Sequence, residues 1–208
     1  MDWAKYFEML IDWKQLPAYR LEPRIDSFIG YYLREIVSCF TGKEIIGVIP
    51  EFPIKKEQNN QSNRVDFLLI SKEGPHYLVE VKTDSKSRRK EQDDYLKEAK
   101  GKGLEELVNS INSIYEGSGE KKEKYEYFIK KLEKSEIVKI TNEVKNKFEF
   151  KFIDGKNKEI EIIYVQPSKN DKDIIIDFEY ISEWIKRNNN IDNFEKELCK
   201  ALLEWEKD

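Results

Sequence analysis

Two carboxylates and one lysine occupy strongly apolar segments of the chain, where ionised side chains are costly. Asp66 interrupts the run VDFLLI, and Glu80 and Lys82 occur in the run YLVEVK. A carboxylate in an apolar strand must be paired, hydrogen-bonded or bound to a metal, because burying an isolated charge is strongly unfavourable. Side chains alternate along a strand, so Glu80 and Lys82 project from the same face. These three residues are therefore the strongest candidates for chemistry.

The segment SKEGP separates the two apolar runs, and its Gly-Pro pair predicts an antiparallel hairpin. If Ile70 pairs with His76, then Asp66 faces Glu80 directly across the hairpin. Opposed like charges destabilise a sheet unless a cation lies between them. Carboxylate oxygens are the ligands that a hard divalent cation prefers, so we expect Mg²⁺ or Mn²⁺ here. An adjacent Lys82 would orient an attacking water, help to deprotonate it or stabilise a phosphate transition state.

A structural salt bridge is the alternative interpretation of the same three residues. Lys82 between two acids would balance charge on a sheet face without any catalysis. We favour the metal site because burial of three polar groups within so few residues is difficult to explain by stability alone.

The hydrophobic periodicity predicts the elements that position these residues. Helices are predicted over residues 2–16, 23–40, 86–100, 104–115, 125–132, 180–186 and 193–206. Strands are predicted over residues 45–54, 64–70, 76–82, 148–153, 160–165 and 174–178. Two prolines in the first strand favour a sheet edge, and the strands at 148–153 and 160–165 are expected to pair as a second hairpin. The expected fold is α/β, with a mixed central β-sheet flanked by helices on both faces.

Asp66 and the triplet Glu80-Val81-Lys82 match the D…(D/E)XK signature, with valine in place of the proline in the first motif. The chain therefore resembles the PD-(D/E)XK nuclease superfamily, which includes restriction endonucleases and RecB-like nucleases. The resemblance covers about residues 22–100 and implies a restriction-endonuclease-like core. It also implies that Asp66, Glu80 and the Val81 carbonyl bind the metal and that Lys82 assists the water.

Members of this superfamily often carry an acidic residue on the helix before the sheet. On the helix predicted over 23–40, Asp26 lies about 60° from the centre of the apolar stripe and Glu35 about 120° away. Asp26 is therefore preferred as a fourth catalytic residue, and Glu35 and Glu22 are retained as residues that would support the site. A carboxylate stabilised by the helix dipole is the alternative role for Asp26.

Two further features lie after the lysine strand. RecB-like members carry a glutamine and a tyrosine on the next helix, and Gln92 and Tyr95 occupy that helix here, three residues apart rather than four. The resemblance implies that they support the site or contact phosphate. A basic run after the lysine strand is the best candidate in the chain for binding a nucleic-acid backbone. The alternative is that these residues only form a solvated start of the helix. The run comprises Lys86, Arg88, Arg89 and Lys90.

Length and composition limit the number of domains and the class of protein that the sequence can encode. The 208 residues suit one domain, residues 1–208, with core motifs in 22–100 and a C-terminal elaboration in 101–208. The net charge of −4 argues against a nonspecific DNA-coating protein but not against an enzyme. Cys39 and Cys199 show no metal or disulfide spacing and are expected to be buried thiols. No apolar run approaches the roughly 20 residues needed to span a bilayer, so a cytoplasmic protein without membrane contact is expected.

The sequence thus predicts a metal-dependent nuclease that hydrolyses phosphodiester bonds. DNA is the expected substrate because no RNA-binding module is recognisable. The alternative is a catalytically silent nuclease-like module that binds nucleic acid or a protein partner in a defence or repair system. The pattern leaves open whether the chain forms a homo-oligomer.

Overall fold

The computed structural model describes residues 1–17, 19–56, 61–84, 88–117, 122–144, 147–188 and 191–207, without the side chains of 144, 147 and 148. Six helices occur in these ranges: α1 (Trp3–Lys14), α2 (Glu22–Thr41), α3 (Lys90–Glu116), α4 (Lys122–Lys134), α5 (Phe178–Asn188) and α6 (Asn193–Glu206). The strands are β1 (Ile45–Lys55), β2 (Ser62–Ser71), β3 (His76–Val81), β4 (Val138–Val144), β5 (Lys147–Phe152), β6 (Ile160–Gln166) and β7 (Ile174–Asp177). None of the described helices combines the length and apolarity needed to cross a membrane.

A five-stranded sheet has the strand order β1-β2-β3-β6-β7. Strand β2 is antiparallel to both β1 and β3, whereas β6 and β7 are parallel. Strands β3 and β6 also run in the same direction, because His76 N–H donates to the Glu159 carbonyl and Lys82 N–H donates to the Val165 carbonyl. The sheet is therefore mixed and flanked by helices, which confirms the predicted α/β class. The proline-containing strand β1 lies at the sheet edge, as its sequence predicted.

The predicted hairpin between residues 148–153 and 160–165 is wrong. Strand β5 pairs instead with β4, which the sequence analysis did not predict, in a separate two-stranded sheet. Strand β6 enters the five-stranded sheet between β3 and β7. Its residues from Ile163 to Gln166 are all buried, as expected for a parallel strand with neighbours on both sides. A short loop between two strands was therefore a poor guide to pairing here.

The chain divides into two compact units, and strands β3 and β6 contribute residues to both. The first unit comprises residues 1–42, 80–89 and 163–208. Within it, α6 packs against α1 and α5, and α5 packs against β7. Several aromatic rings form a cluster in this unit: Trp3, Phe7, Phe28 and Phe194. Of the two cysteines, Cys199 is buried as predicted, but Cys39 is exposed because it lies off the apolar stripe of α2.

The second unit comprises residues 43–79 and 90–162. Helix α3 packs against β1, β2 and β5, and α4 packs against β4. At Gly103 the backbone leaves the helical conformation, with φ of 77° and ψ of 165°, so α3 consists of two helical segments, as predicted. The Asn157 side-chain oxygen accepts a hydrogen bond from Glu105 N–H at 3.2 Å and so caps the second segment.

Candidate functional site

The β2–β3 hairpin has the register that the sequence predicted. Phe67 pairs with Val79 and Leu68 with Leu78 in antiparallel fashion. One further step along the same two strands places Asp66 opposite Glu80. Asp66 is half-buried and Glu80 is buried. The hairpin therefore presents two carboxylates at adjacent positions of the sheet, which is the arrangement that was expected to require a cation.

Lys82 lies between two carboxylates of the first unit. Its Nζ donates to Glu80 Oε1 at 2.7 Å and lies 3.6 Å from Glu22 Oε1. The side chains of Glu80 and Lys82 are only 2% and 5% exposed, whereas that of Glu22 is 35% exposed. Lys82 immediately follows β3, and the bond from its backbone N–H to the Val165 carbonyl fixes its position beside β6. A buried, charge-assisted hydrogen bond thus lies at the centre of the candidate site.

One oxygen atom from each of Glu22, Asp66 and Glu80 lies within 4.8 Å of the others. This donor set suits Mg²⁺ or Mn²⁺, because both prefer hard oxygen ligands and retain several waters when few carboxylates bind them. The Lys82 ammonium forms ion pairs with Glu22 and Glu80, and a bound divalent cation would compensate further carboxylate charge. Val81, the last residue of β3, is buried between the two charged residues of its motif. A metal-binding role for its carbonyl stays a prediction.

The structure brings Glu22 to Lys82, although the sequence analysis preferred Asp26. Asp26 Oδ1 accepts a hydrogen bond from the backbone N–H of Ser27 at 2.6 Å, and Asp26 does not belong to the carboxylate group just described. Glu22 is the first residue of α2. Asp26 was preferred because it lies nearer the buried face of this helix, and Glu22 was kept only as a supporting residue. The end of the helix, rather than its buried face, presents the carboxylate. Glu35 lies on the same helix but lines a different pocket.

Tyr95 on α3 supports the strand that carries Asp66. Its hydroxyl donates to the carbonyl of Arg64 at 2.9 Å, two residues before Asp66 on β2. Gln92 lies near the start of α3 and is half-buried. The contact of Tyr95 is consistent with a supporting role, although it acts on the backbone of the strand. A role for Gln92 in phosphate contact stays a prediction.

The predicted basic run has several different environments. Lys86 lies outside the described residues, and Arg89 and Lys90 are exposed. Arg88 forms a 2.6 Å ion pair with Asp173, and its guanidinium lies 3.9 Å from the centre of the Tyr164 ring. The β3–β6 register aligns Tyr164 with Glu80, so these two side chains share a face of the sheet. Arg88 is therefore a cation in a fixed position rather than a mobile surface charge.

Gln166 was missed by the sequence analysis, which ended the strand at Val165. The bond between Lys82 N–H and the Val165 carbonyl aligns Gln166 with Lys82, and Gln166 also pairs with Asp177 of β7. Its Nε2 donates to the Ser168 carbonyl at 2.7 Å. Its Oε1 is buried and has no hydrogen-bond partner among the described residues, which is uncommon in folded proteins. The available signal was a polar residue at the end of an apolar strand, the same signal that identified Lys82.

A second group of three carboxylates, Asp177, Glu179 and Glu206, also lies in the first unit. Asp177 already has structural partners: its Oδ1 accepts from Tyr180 N–H at 2.8 Å, and its Oδ2 lies 2.9 Å from Lys169 Nζ. Burial raises the pKa of Glu206, and the neighbouring charges of Asp177 and Glu179 raise it further. Helix capping and an ion pair therefore explain Asp177, and we assign no catalytic role to this group.

Comparisons of the chain with protein-family models, with curated proteins and with solved structures found no match. The functional proposal therefore depends on this chain's own residues, their positions on the sheet and their charges.

Proposed function

We propose that this protein is a metal-dependent nuclease of the PD-(D/E)XK type that hydrolyses phosphodiester bonds in DNA. The observation that supports this most directly is the buried Lys82 ammonium, held by Glu80 and Glu22, two members of a group of three carboxylates. Buried lysines and carboxylates with specific partners occur preferentially at functional sites. A divalent cation held by carboxylates can activate the attacking water and stabilise charge on the phosphate, and a positioned ammonium can add to both effects.

In this proposal, Glu80 and Asp66 would hold the metal, and Glu22 would act on the attacking water beside it. When bound, Mg²⁺ or Mn²⁺ would lower the pKa of the attacking water and compensate negative charge on the phosphate. The Lys82 ammonium is a hydrogen-bond donor only, so it orients the water and stabilises the phosphate oxygens rather than accepting a proton. Glu22 is partly open to solvent and lies close to Lys82, so it is the residue placed to accept the proton of the water.

Arg88 is the residue best placed to bind a substrate phosphate near the metal. Its guanidinium is held by Asp173 and by the ring of Tyr164, a residue aligned with Glu80 across the sheet. A guanidinium held in advance loses little rotamer entropy when it binds phosphate. Arg89 and Lys90 are exposed and would add contacts to the nucleic-acid backbone.

Digestion of linear, nicked, circular and branched DNA with Mg²⁺ or Mn²⁺ tests the proposal. We expect cleavage that EDTA abolishes and that Lys82→Met or Glu80→Gln lowers by about 10²–10⁴-fold, because each removes a group acting on the reacting atoms. Glu22→Gln should lower the rate by roughly 10–100-fold, whereas Asp26→Asn, on the same helix, should leave it unchanged. Circular dichroism controls for folding. Equal cleavage by wild-type protein and all four variants would contradict the proposed site.

A catalytically silent module that binds nucleic acid or a protein partner is the second candidate. The 2.7 Å bond between Lys82 and Glu80 favours it, since this ion pair already compensates a buried charge without metal. Calorimetric titration of Mg²⁺ and Mn²⁺ separates the two candidates. The nuclease should bind metal, and Glu80→Ala should weaken this binding by about tenfold or more. Negligible binding by both proteins, together with no DNA cleavage, would favour the silent module.

A further inference from the structure

A pocket of about 640 Å³ opens on the surface of the first unit, among α2, α5 and the start of α6. Its lining is aromatic and acidic: Tyr31, Tyr32, Glu35, Trp184, Asp192, Phe194 and Glu195. No lysine or arginine belongs to this lining within the described part of the chain. The pocket contains none of Glu22, Asp66, Glu80 and Lys82, the residues of the candidate nuclease site.

Three aromatic rings form consecutive walls of the pocket. The rings of Tyr31 and Tyr32 lie 4.8 Å apart at an interplanar angle of 88°, and those of Tyr32 and Trp184 lie 6.2 Å apart at 63°. Tyr31 is 77% exposed, which makes it one of the most exposed large side chains described. The face of an aromatic ring carries negative electrostatic potential, and rings set at steep angles can present several such faces around one ligand.

The carboxylates of the pocket are held in place without any ligand. Asp192 and Glu195 form a reciprocal capping box at the start of α6, with hydrogen bonds of 2.9 and 3.0 Å. The hydroxyl of Tyr32 donates to Glu195 Oε1 at 3.1 Å. Glu35 is exposed and lies one helical turn after Tyr31 on α2. Three carboxylates therefore line the pocket beside the aromatic rings. Two of them, Asp192 and Glu195, are held by hydrogen bonds that a ligand need not break.

We propose that this pocket binds a small organic cation that carries an alkylated ammonium group. Such a group is weakly hydrated and gains both from ring faces and from nearby carboxylates. A phosphate or another anion would be repelled by the three acidic residues. Mg²⁺ would gain nothing from the aromatic walls, because it retains a shell of oxygen ligands and water. A neutral ligand would desolvate the carboxylates without compensation. The organic cation is the ligand class that uses both parts of the lining.

Choline and its uncharged carbon isostere, 3,3-dimethylbutan-1-ol, provide a matched pair of probes. The two have nearly the same shape and differ in charge at the quaternary centre. Calorimetry and ligand-observed NMR on the full chain should give choline about tenfold tighter binding than the isostere, as expected for a cation–π contact reinforced by charge. Equal binding of the two probes, or no binding of choline at millimolar concentration, would overturn the proposal.

Surface variants connect the binding to this pocket. Tyr31→Leu keeps an apolar side chain but removes a ring, and Glu35→Gln keeps the shape but removes a charge. Each should weaken choline binding by about three- to tenfold, and Glu35→Gln should leave binding of the isostere unchanged. Tyr127→Leu is the matched control, because Tyr127 is also exposed but lies on α4, in the other unit. Equal losses in Tyr127→Leu and Tyr31→Leu would place the binding elsewhere and refute the assignment.

Discussion

His76 is the only histidine in the chain, and it begins the strand that carries Glu80. The ring is buried, with 1% exposure. Its Nδ1 accepts a hydrogen bond from Ser71 N–H at 3.2 Å, and its Nε2 lies 2.9 Å from the Lys156 carbonyl. The two partners assign the proton of a neutral ring to Nε2, since a carbonyl can only accept. The side chain thus fixes the turn of the β2–β3 hairpin and belongs to the structure rather than to catalysis.

Protonation of His76 should destabilise the fold in a defined pH range. Burial lowers the pKa of His76 below its ordinary value of 6.5, so the unfolded chain binds this proton more readily than the folded protein. The contribution of His76 to stability is complete above pH 6.5 and is lost as pH falls through the lower folded pKa. Urea unfolding should show the loss, at most about 1.4 kcal/mol per pH unit from this residue. His76→Gln should flatten it, whereas the same pH dependence in both proteins would assign the effect to carboxylates.

Some residues of the candidate site could be predicted from the sequence, and others could not. Asp66, Glu80 and Lys82 were identifiable because each is an ionisable residue within an apolar run, and strand alternation relates positions two residues apart. Glu22 was kept only as a supporting residue, and Gln166 was not identified. The position of Glu22 depends on where the end of α2 lies in three dimensions, and that of Gln166 depends on β6 lying beside β3. Neither relationship is encoded by local periodicity.

At the scale of elements, the positions of helices and strands along the chain were easier to predict than which strands pair. The interrupted helix α3 was expected as two helices, over residues 86–100 and 104–115, and the backbone is interrupted at Gly103. By contrast, β4 has the sequence VKITNEV, whose polar residues obscure a strand. The partner of β5 therefore remained hidden, and β6 was wrongly assigned to it. Pairing between distant strands depends on the packing of the complete sheet, which propensity alone does not contain.

Two glycines of α3 should respond oppositely to alanine. Gly103 has φ of 77° and ψ of 165°, a conformation that is essentially restricted to glycine, so Gly103→Ala should lower the free energy of unfolding by about 1–3 kcal/mol. Gly101 lies two residues earlier in helical backbone, and a Cβ there would contact nothing within 4 Å. Gly101→Ala should raise the free energy of unfolding by about 0.5–1 kcal/mol. Urea unfolding of both variants measures the difference. Stabilisation by both would mean that α3 is continuous through Gly103.

At the scale of the whole molecule, charge is balanced rather than polarised toward nucleic acid. Charged residues make up 38% of the chain, yet the net charge is −4. No general positive field attracts a DNA backbone, and three carboxylates gather at the candidate site itself. In the proposed nuclease, the metal therefore has a role in binding as well as in chemistry, because it converts an acidic site into one that accepts phosphate.

Binding of a short DNA duplex should consequently depend on divalent cations. We expect Ca²⁺, which also takes oxygen ligands, to raise the affinity by about tenfold or more over EDTA, and Glu80→Gln to remove most of this gain. Fluorescence anisotropy across a series of salt concentrations measures both effects. The slope of log K against log salt should correspond to about one to three phosphate contacts, the number that Arg88, Arg89 and Lys90 can supply. Tight binding in EDTA with a much steeper slope would place the DNA on a different, basic surface and separate DNA binding from the carboxylate site.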